Sequence, residues 1–403
     1  MFKLEYDLSL INNIKISDLL ENPSEIINSN DLIIHKSWVK NDKLYDIIKY
    51  DKRVLTWDII GVMGKWRSVI FSNKKLVVFS PPKSLNCNLF ITQYRENECI
   101  IEEFIEGTMI NLFYDRDINQ WEIASKSSIG GNIKFFKEQP TFSVLFYEIC
   151  NELNINFDNF SKDCCYSFVM QHPKNRFVIP IREKKLYLIA CYEIDSNNFT
   201  VKEFCQDYLR SQNINKENIS FPQIGTFGSY SELIDNYASM NTDPNIMGII
   251  IKHKDGMRTK LRNPNYEYIK QLRGNNTKLQ YQYLCLRKLD KVKDCLRFFP
   301  ENSKEFSKFR SSIHNFTENL YSNYIKCYIK KEKSLKEFPN QFRSHMFNLH
   351  QIYLSIREER GYINKPVVID YINKLDSAQL MYSLNYHMRT IIDTNEKVNK
   401  VPS

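Results

Sequence analysis

The 403-residue sequence predicts an α+β body followed by an all-α tail. Three observations lead there. Short apolar runs of strand character, several paired across turn residues, fill the chain as far as Leu261. After Gly274 the apolar residues recur at helical spacing instead. The charge changes at the same place: Met1–Gly274 carries 34 basic and 34 acidic residues, whereas Asn275–Ser403 carries 22 and 13. The whole formal excess of +9 therefore sits in the last third, which suits a polyanion-facing appendage as well as a lysine-rich solvated helical surface. We place the domains at 1–274 and 275–403.

The first 60 residues read as strands with one or two short helices. Arg67–Phe71 and Leu76–Phe79 flank Ser72-Asn73-Lys74-Lys75 as a hairpin, and Pro81-Pro82 stops the second strand. Met109–Tyr114 and Trp121–Ser125 make another hairpin. Thr141–Leu153 reads as a helix. Tyr166–Val169, Phe177–Ile179 and Leu186–Tyr192 read as strands, and Val201–Ser211 and Tyr230–Ser239 as helices. Gly248–Lys252 and Arg258–Leu261 form a strand pair around His253-Lys254-Asp255-Gly256. In the tail, Tyr283 to Leu296 and Phe306 to Cys327 each mark a helix, the second with Asn302 and Glu305 as a capping box. Phe342 to Ile356 marks a third, and Pro366 opens a fourth.

Composition excludes some classes. With 42% hydrophobic and 26% charged residues the chain is not disordered as a whole. No apolar run approaches the ~20 residues of a membrane span, and the N-terminus carries no apolar signal core. An intracellular protein with no membrane contact is expected. The ten cysteines form no CxxC pair and read as free thiols in a reducing compartment. The seven histidines show no HExxH or HxH spacing, and His345 and His350 read as structural or exposed, so no metal ligands are assigned.

Chemistry concentrates in the body. Glu102-Glu103-Phe104-Ile105-Glu106-Gly107-Thr108 opens a strand, and Ser125-Lys126-Ser127 follows one hairpin later. Downstream come Tyr166-Ser167-Phe168-Val169, Met247-Gly248-Ile249-Ile250-Ile251 and Arg258-Thr259-Lys260-Leu261. In this order these segments resemble the nucleotidyltransferase motifs of phage-type ATP-dependent RNA ligases, and more loosely ligase-like proteins of large DNA viruses. The resemblance covers roughly 60–275. It implies an ATP-grasp-like ligase body of two antiparallel sheets with helices.

The departures from that family bear directly on function. The family's nucleophilic lysine corresponds to Phe104, whose ring has no lone pair to attack a phosphate. Its third-motif acid corresponds to Ser167 and its fourth-motif Glu to Met247, a poor partner for a phosphate-bound divalent metal. Glu106 and Gly107 replace Asp-Gly conservatively, and Lys126, Arg258 and Lys260 keep positive charge where the family meets phosphates. The resemblance thus implies a degenerate site with no catalytic residue, binding RNA or a nucleotide through Glu106, Gly107, Lys126, Arg258 and Lys260. An active ligase with a displaced nucleophile, using ATP and Mg, is the first alternative. A scaffold protein of a viral assembly, using the fold only as a surface, is the second.

Local decoys are set aside. In Lys254-Asp255-Gly256 the nucleophile register falls on His253, and Asp-Gly between strands is a hairpin turn. Lys65 follows Gly64 without the rest of a phosphate-binding loop. Gly130-Gly131 reads as a turn. In Tyr324–Lys331 the aromatics read as core and the lysines as solvated.

Overall fold

The computed structural model describes residues 2–28, 31–134, 139–212, 214 and 217–387. Positions 388–403 of the expected helical tail lie outside the described residues. The chain divides into two compact units, Met1–Lys270 and Gln271–Ser403.

In the first unit β1 (Phe2–Asp7) leads through short elements to β2 (Ile33–Lys40) and β3 (Lys43–Tyr50). β4 (Val69–Ser72) and β5 (Lys75–Phe79) are the expected hairpin. Its turn residues Asn73 and Lys74 hold φ of 47° and 62°, the left-handed pair that matches strand twist. α1 (Cys87–Gln93) starts where the Asn86 side chain accepts from the Asn88 and Leu89 amides. Then come β6 (Cys99–Glu103), β7 (Thr108–Asp115), β8 (Gln120–Ser125), β9 (Ser128–Ile129) and α2 (Phe142–Glu152), the last capped by Thr141. β10 (Cys164–Gln171), β11 (Lys185–Asp195), β12 (Thr200–Phe204), β13 (Ile224–Gly225), α3 (Tyr230–Tyr237), β14 (Gly248–His253) and β15 (Arg258–Arg262) follow. α4 (Pro264–Arg273) begins directly after β15.

The sheets are antiparallel. A seven-stranded sheet runs β1-β12-β11-β10-β7-β8-β9, a four-stranded sheet β13-β6-β14-β15, and another β2-β3-β4-β5. α2 covers one face of the large sheet through Leu145, Phe146, Ile149 and Cys150. On its other face Phe113, Ala124 and Cys165 meet Tyr45, Ile47, Ile70 and Val78 of the β2–β5 sheet. α1 and α3 cover the β6–β15 sheet around Phe90, Leu233, Ile249 and Ile251. The segment joining β6 to β7 crosses from the smaller sheet to the large one, and it carries Phe104 to Gly107.

The second unit is helical: α5 (Leu279–Lys288), α6 (Val292–Phe298), α7 (Ser303–Tyr324), α8 (Asn340–Ile356), α9 (Lys365–Lys374) and α10 (Ser377–Leu384). α7 buries Phe306, Ile313, Phe316, Leu320 and Tyr324, the expected stripe, and Phe316 stacks on Phe342 of α8 at 5.0 Å. His345 is buried, its ring nitrogens 2.9 Å from the Tyr371 hydroxyl and 2.8 Å from the Ser383 hydroxyl. Ser383 also donates to the Gln379 carbonyl, so it is an acceptor toward Nε2–H, and the array is a structural pin between α8, α9 and α10. Tyr324 is core, and Tyr328 stacks on His350 at 4.0 Å while Lys326, Lys330 and Lys331 face solvent. Among the described residues no helix is long and apolar enough to cross a membrane.

Four local expectations are corrected. Phe177–Ile179 is a bend, because the Val178 and Ile179 amides donate to a carboxylate and not to a neighbouring strand. Val201–Ser211 is not one helix: Thr200–Phe204 is β12, held between β1 and β11, and only Gln206–Ser211 is helical. Tyr283–Leu296 is broken into α5 and α6 at Asp290, whose φ is 54°. Asn302 caps α7 without a side-chain hydrogen bond, so the capping box does not form.

Candidate nucleotide and phosphate site

β15 builds the basic wall. A strand turns alternate side chains to one face, so Arg258, Lys260 and Arg262 point the same way. Register puts Lys260 opposite Ile250 of β14 and Ile250 opposite Glu102 of β6, so that face continues across the sheet toward Phe104. Gly248 allows this pairing. Its φ is 125°, and a Cβ there would lie 2.1 Å from the Leu261 carbonyl oxygen. Across the cavity stand Met109, Val169 and Ile189 of the large sheet, with Arg67, Phe177, Met247 and Tyr266 closing the sides. The space is open, with a volume of about 280 Å³.

Each expected residue can now be placed. Phe104 lines the cavity, its ring centroid 4.1 Å from Lys260 Nζ and 5.6 Å from the Arg262 guanidinium carbon. Met247 lines the cavity too. Gly107 sits where a Cβ would come 2.5 Å from the Met170 carbonyl oxygen, so the loop can lie on β10 only with a bare backbone. Glu106 is buried and accepts at 3.1–3.2 Å from the Val178 and Ile179 amides, and Tyr266 hydrogen-bonds to it. Burial, the Glu106 charge and that hydrogen bond hold the Tyr266 phenol above its ordinary range. Glu106 thus ties the loop to the 177–179 bend. Ser167 lies sealed in the sheet, donating to Asn111 at 2.7 Å, while Asn111 donates to Ser80 at 2.8 Å. Lys126 stands outside the cavity wall near Arg67, its Nζ 5.8 Å from the Tyr50 ring centroid. Its ammonium is held below the usual lysine range by partial desolvation and by Arg67, Lys49, Lys52 and Lys83.

The decisive feature is uncompensated positive charge. Arg258 is 9% exposed, and its Nε is buried with no hydrogen-bond partner. A buried donor left without a partner costs about 1–3 kcal/mol, so the unpaired Arg258 Nε in the cavity wall offers a hydrogen bond that an anion could accept. Burial, then Arg258, Arg67, Arg262 and Lys83, push the Lys260 amine down to about 6. Burial and Arg258 push even Arg67 down to about 10. Lys83 is lowered by burial and by Arg67 and Arg262. The acids at the cavity are engaged elsewhere: Glu102 pairs with Lys252 at 2.7 Å, Glu106 serves the bend, and Glu103 accepts from the Gln223 amide at 3.2 Å.

The side chains at this cavity are basic, and they make a poor set of ligands for a divalent metal. Ser167 is sealed against Asn111, Met247 offers a thioether, and Glu102 and Glu106 are committed. Among the described residues no three His, Cys, Asp or Glu side chains gather into a metal-binding group. His253, the decoy-register residue, packs at a tilt against Tyr94 at 4.4 Å and bonds Asp255 at 2.9 Å within its turn.

Arg67, Lys83, Arg262 and Tyr266 were not assigned from sequence. The Arg-x-Lys-x-Arg alternation within 258–262 was a usable signal for Arg262. Arg67 and Lys83 lie in segments that resemble the family's stretch upstream of the nucleophile, and the fold brings them to the site.

No known protein-family profile matches the chain. It is similar to two curated proteins described as immediate-early protein ICP-46 homologs. That of Invertebrate iridescent virus 3 is 24% identical over 316 residues, covering 73% of this chain and 64% of the relative. That of Invertebrate iridescent virus 6 is 24% identical over 283 residues, covering 66% and 61%. The chain thus spans somewhat less than two thirds of the length of these relatives. Among solved structures it is similar to a Naegleria gruberi RNA ligase mutant with ATP and Mn, at 11% identity and a TM-score of 0.35, over 61% of this chain and 82% of that one. An archaeal ATP-dependent RNA ligase is similar at 12% identity and a TM-score of 0.40, over 77% and 82%.

Proposed function

We propose that the chain is an RNA-ligase-like protein whose basic cavity binds RNA or a nucleotide by its phosphates, without transferring an adenylyl group. The observation that carries this reading is the Arg258 guanidinium, buried in the cavity wall with an orphaned Nε beside Lys260 and Arg67. The resemblance sets Phe104 at the family's nucleophile position, and a phenyl ring there supports a reading without covalent AMP. Recognition would rest on charge. Arg258 and Lys260 meet phosphate oxygens at the wall, Lys126 and Arg67 extend the positive field outward, and Gly107 lets backbone approach. We further propose an intracellular setting, host cytoplasm or virion, in keeping with the iridovirus relatives.

The test is equilibrium binding of a fluorescent 12-nucleotide RNA to the full chain at low and high salt. Binding should weaken steeply with salt, and R258M should weaken it about tenfold at low salt. Absent or salt-indifferent binding would sink the reading and leave the scaffold alternative.

One observation favours a second reading. The Lys260 amine is pushed down to about 6, so it is largely unprotonated at neutral pH, as a displaced nucleophile would need to be. Incubation with labelled ATP and Mg decides between them. We expect no adduct, and a hydroxylamine-labile AMP on Lys260 would establish the active enzyme.

A further inference from the structure

Two cavities share the 102–106 segment. The first is the basic one. The second, of about 360 Å³, carries no Lys, Arg or His among its lining residues. It presents the amides of Gln171, Gln223 and Asn245 with Tyr237 and Ile246. Phe104 and Met247 line both. Glu102, Glu103 and Glu106 border both cavities, so it is the positive charge that is sorted to one side of the Phe104 loop, with amide and apolar surface on the other. A nucleotide has the same division: charged phosphate, and a flat base whose edge offers donors and acceptors.

The basic wall also has a direction. Arg258 is buried, Lys260 half-buried and Arg262 exposed, so the three basic side chains run from the depth of the cavity to its mouth. Alternate residues of a strand are about 6.7 Å apart. The phosphorus atoms of a triphosphate share bridging oxygens and lie much closer than that. Consecutive phosphodiesters are separated by a sugar and match the wider step. A free nucleotide would engage only the deep cations, whereas a polynucleotide leaving for solvent would use the outer one as well. Arg262 now pairs with Glu267 at 2.6 Å, an exposed contact easily exchanged for phosphate.

We propose that the two cavities together seat an unpaired nucleotide of single-stranded RNA, with its backbone along Arg258, Lys260 and Arg262 and its base against Phe104 in the amide-lined cavity. This rests on the phosphate-binding reading above and names its ligand. The phenyl ring that removed the nucleophile supplies a stacking face, and base–aromatic stacking tolerates sequence because every base has a π face.

The test uses the full chain and a 12-nucleotide RNA bearing one 2-aminopurine, read by anisotropy and by quenching. Binding should quench the 2-aminopurine. F104A should lower affinity about ten- to hundredfold and abolish the quench while leaving the salt slope unchanged. F104Y should retain both and shows that the position tolerates replacement. ATP with Mg should displace the RNA only weakly. If F104A binds and quenches like the unmodified chain, or if ATP displaces RNA at micromolar concentration, the inference is wrong although phosphate binding stands. If the unmodified chain binds no RNA at any salt, both fail together.

Discussion

Lys260 is where charge, burial and the proposed phosphate contact meet in one side chain. Its amine titrates near 6 in the folded chain because burial and then Arg258, Arg67, Arg262 and Lys83 oppose its charge, whereas an ordinary lysine titrates at 10.5. Between those values the unfolded chain holds more protons, so this residue makes stability rise with pH from 6 toward 10.5. A phosphate placed beside it reverses the effect by favouring the ammonium. Ligand binding near pH 7.5 should therefore take up close to one proton, and affinity should fall as pH rises above 6, by at most about tenfold per pH unit. Calorimetry in buffers of different ionisation enthalpy measures that uptake. K260M should abolish it and flatten the rise of stability with pH. Proton-neutral binding by the unmodified chain would mean that no anion reaches Lys260. The sequence offered Lys260 as one cation among several. It could not show the depressed titration, because Arg67 and Lys83 reach it from segments nearly two hundred positions away.

Among the elements, the β14–β15 pair positions the basic wall. Its register hangs on Gly248, which combines a φ of 125° with a close approach to the Leu261 carbonyl. Gly248→Ala should destabilise the first unit by about 3 kcal/mol, the upper end of what a strained backbone position costs. RNA affinity should fall as well, because the strand that aligns Arg258, Lys260 and Arg262 must shift. A denaturant midpoint that does not move would show that the strand pair accommodates a methyl group. Elements of this kind were legible in advance: the hairpins at Asn73-Lys74 and Asp255-Gly256, α2 behind Thr141, and the α7 stripe all have local causes. The misreadings share another origin. Val201 to Leu209 has helical spacing, yet β1 and β11 hold Thr200–Phe204 between them, and pairing overrides local preference. Phe177–Ile179 has strand composition, but Glu106, some seventy residues earlier in the chain, takes its amides. The two-cavity arrangement was equally invisible, since Gln171, Gln223 and Asn245 join no motif and meet Phe104 only through the fold.

At the scale of the whole molecule, net charge and site charge are different quantities. Met1–Gly274 balances 34 basic against 34 acidic residues, yet it gathers Arg67, Arg258, Lys260 and Arg262 around one cavity with its acids engaged elsewhere. The surplus of nine lies in Asn275–Ser403, much of it on solvent-facing lysines such as Lys330 and Lys331. On the proposed RNA-binding reading, these two sources of positive charge should contribute separably. Each phosphate contact on a single strand adds about 0.7 to the magnitude of the slope of log affinity against log salt. Three to six contacts give a slope of about −2 to −4. Replacing Arg258 by Met should reduce that magnitude by about 0.7 and weaken ordered contact with the RNA, seen as less 2-aminopurine quenching. Replacing Lys330 and Lys331 by Gln should reduce the slope while leaving the quench intact, because backbone attraction by a solvated lysine does not position a base. Equal slopes for the unmodified chain and the Lys330/Lys331 variant would confine recognition to the first unit. The basic excess of the last third would then be a solvated helical surface and nothing more.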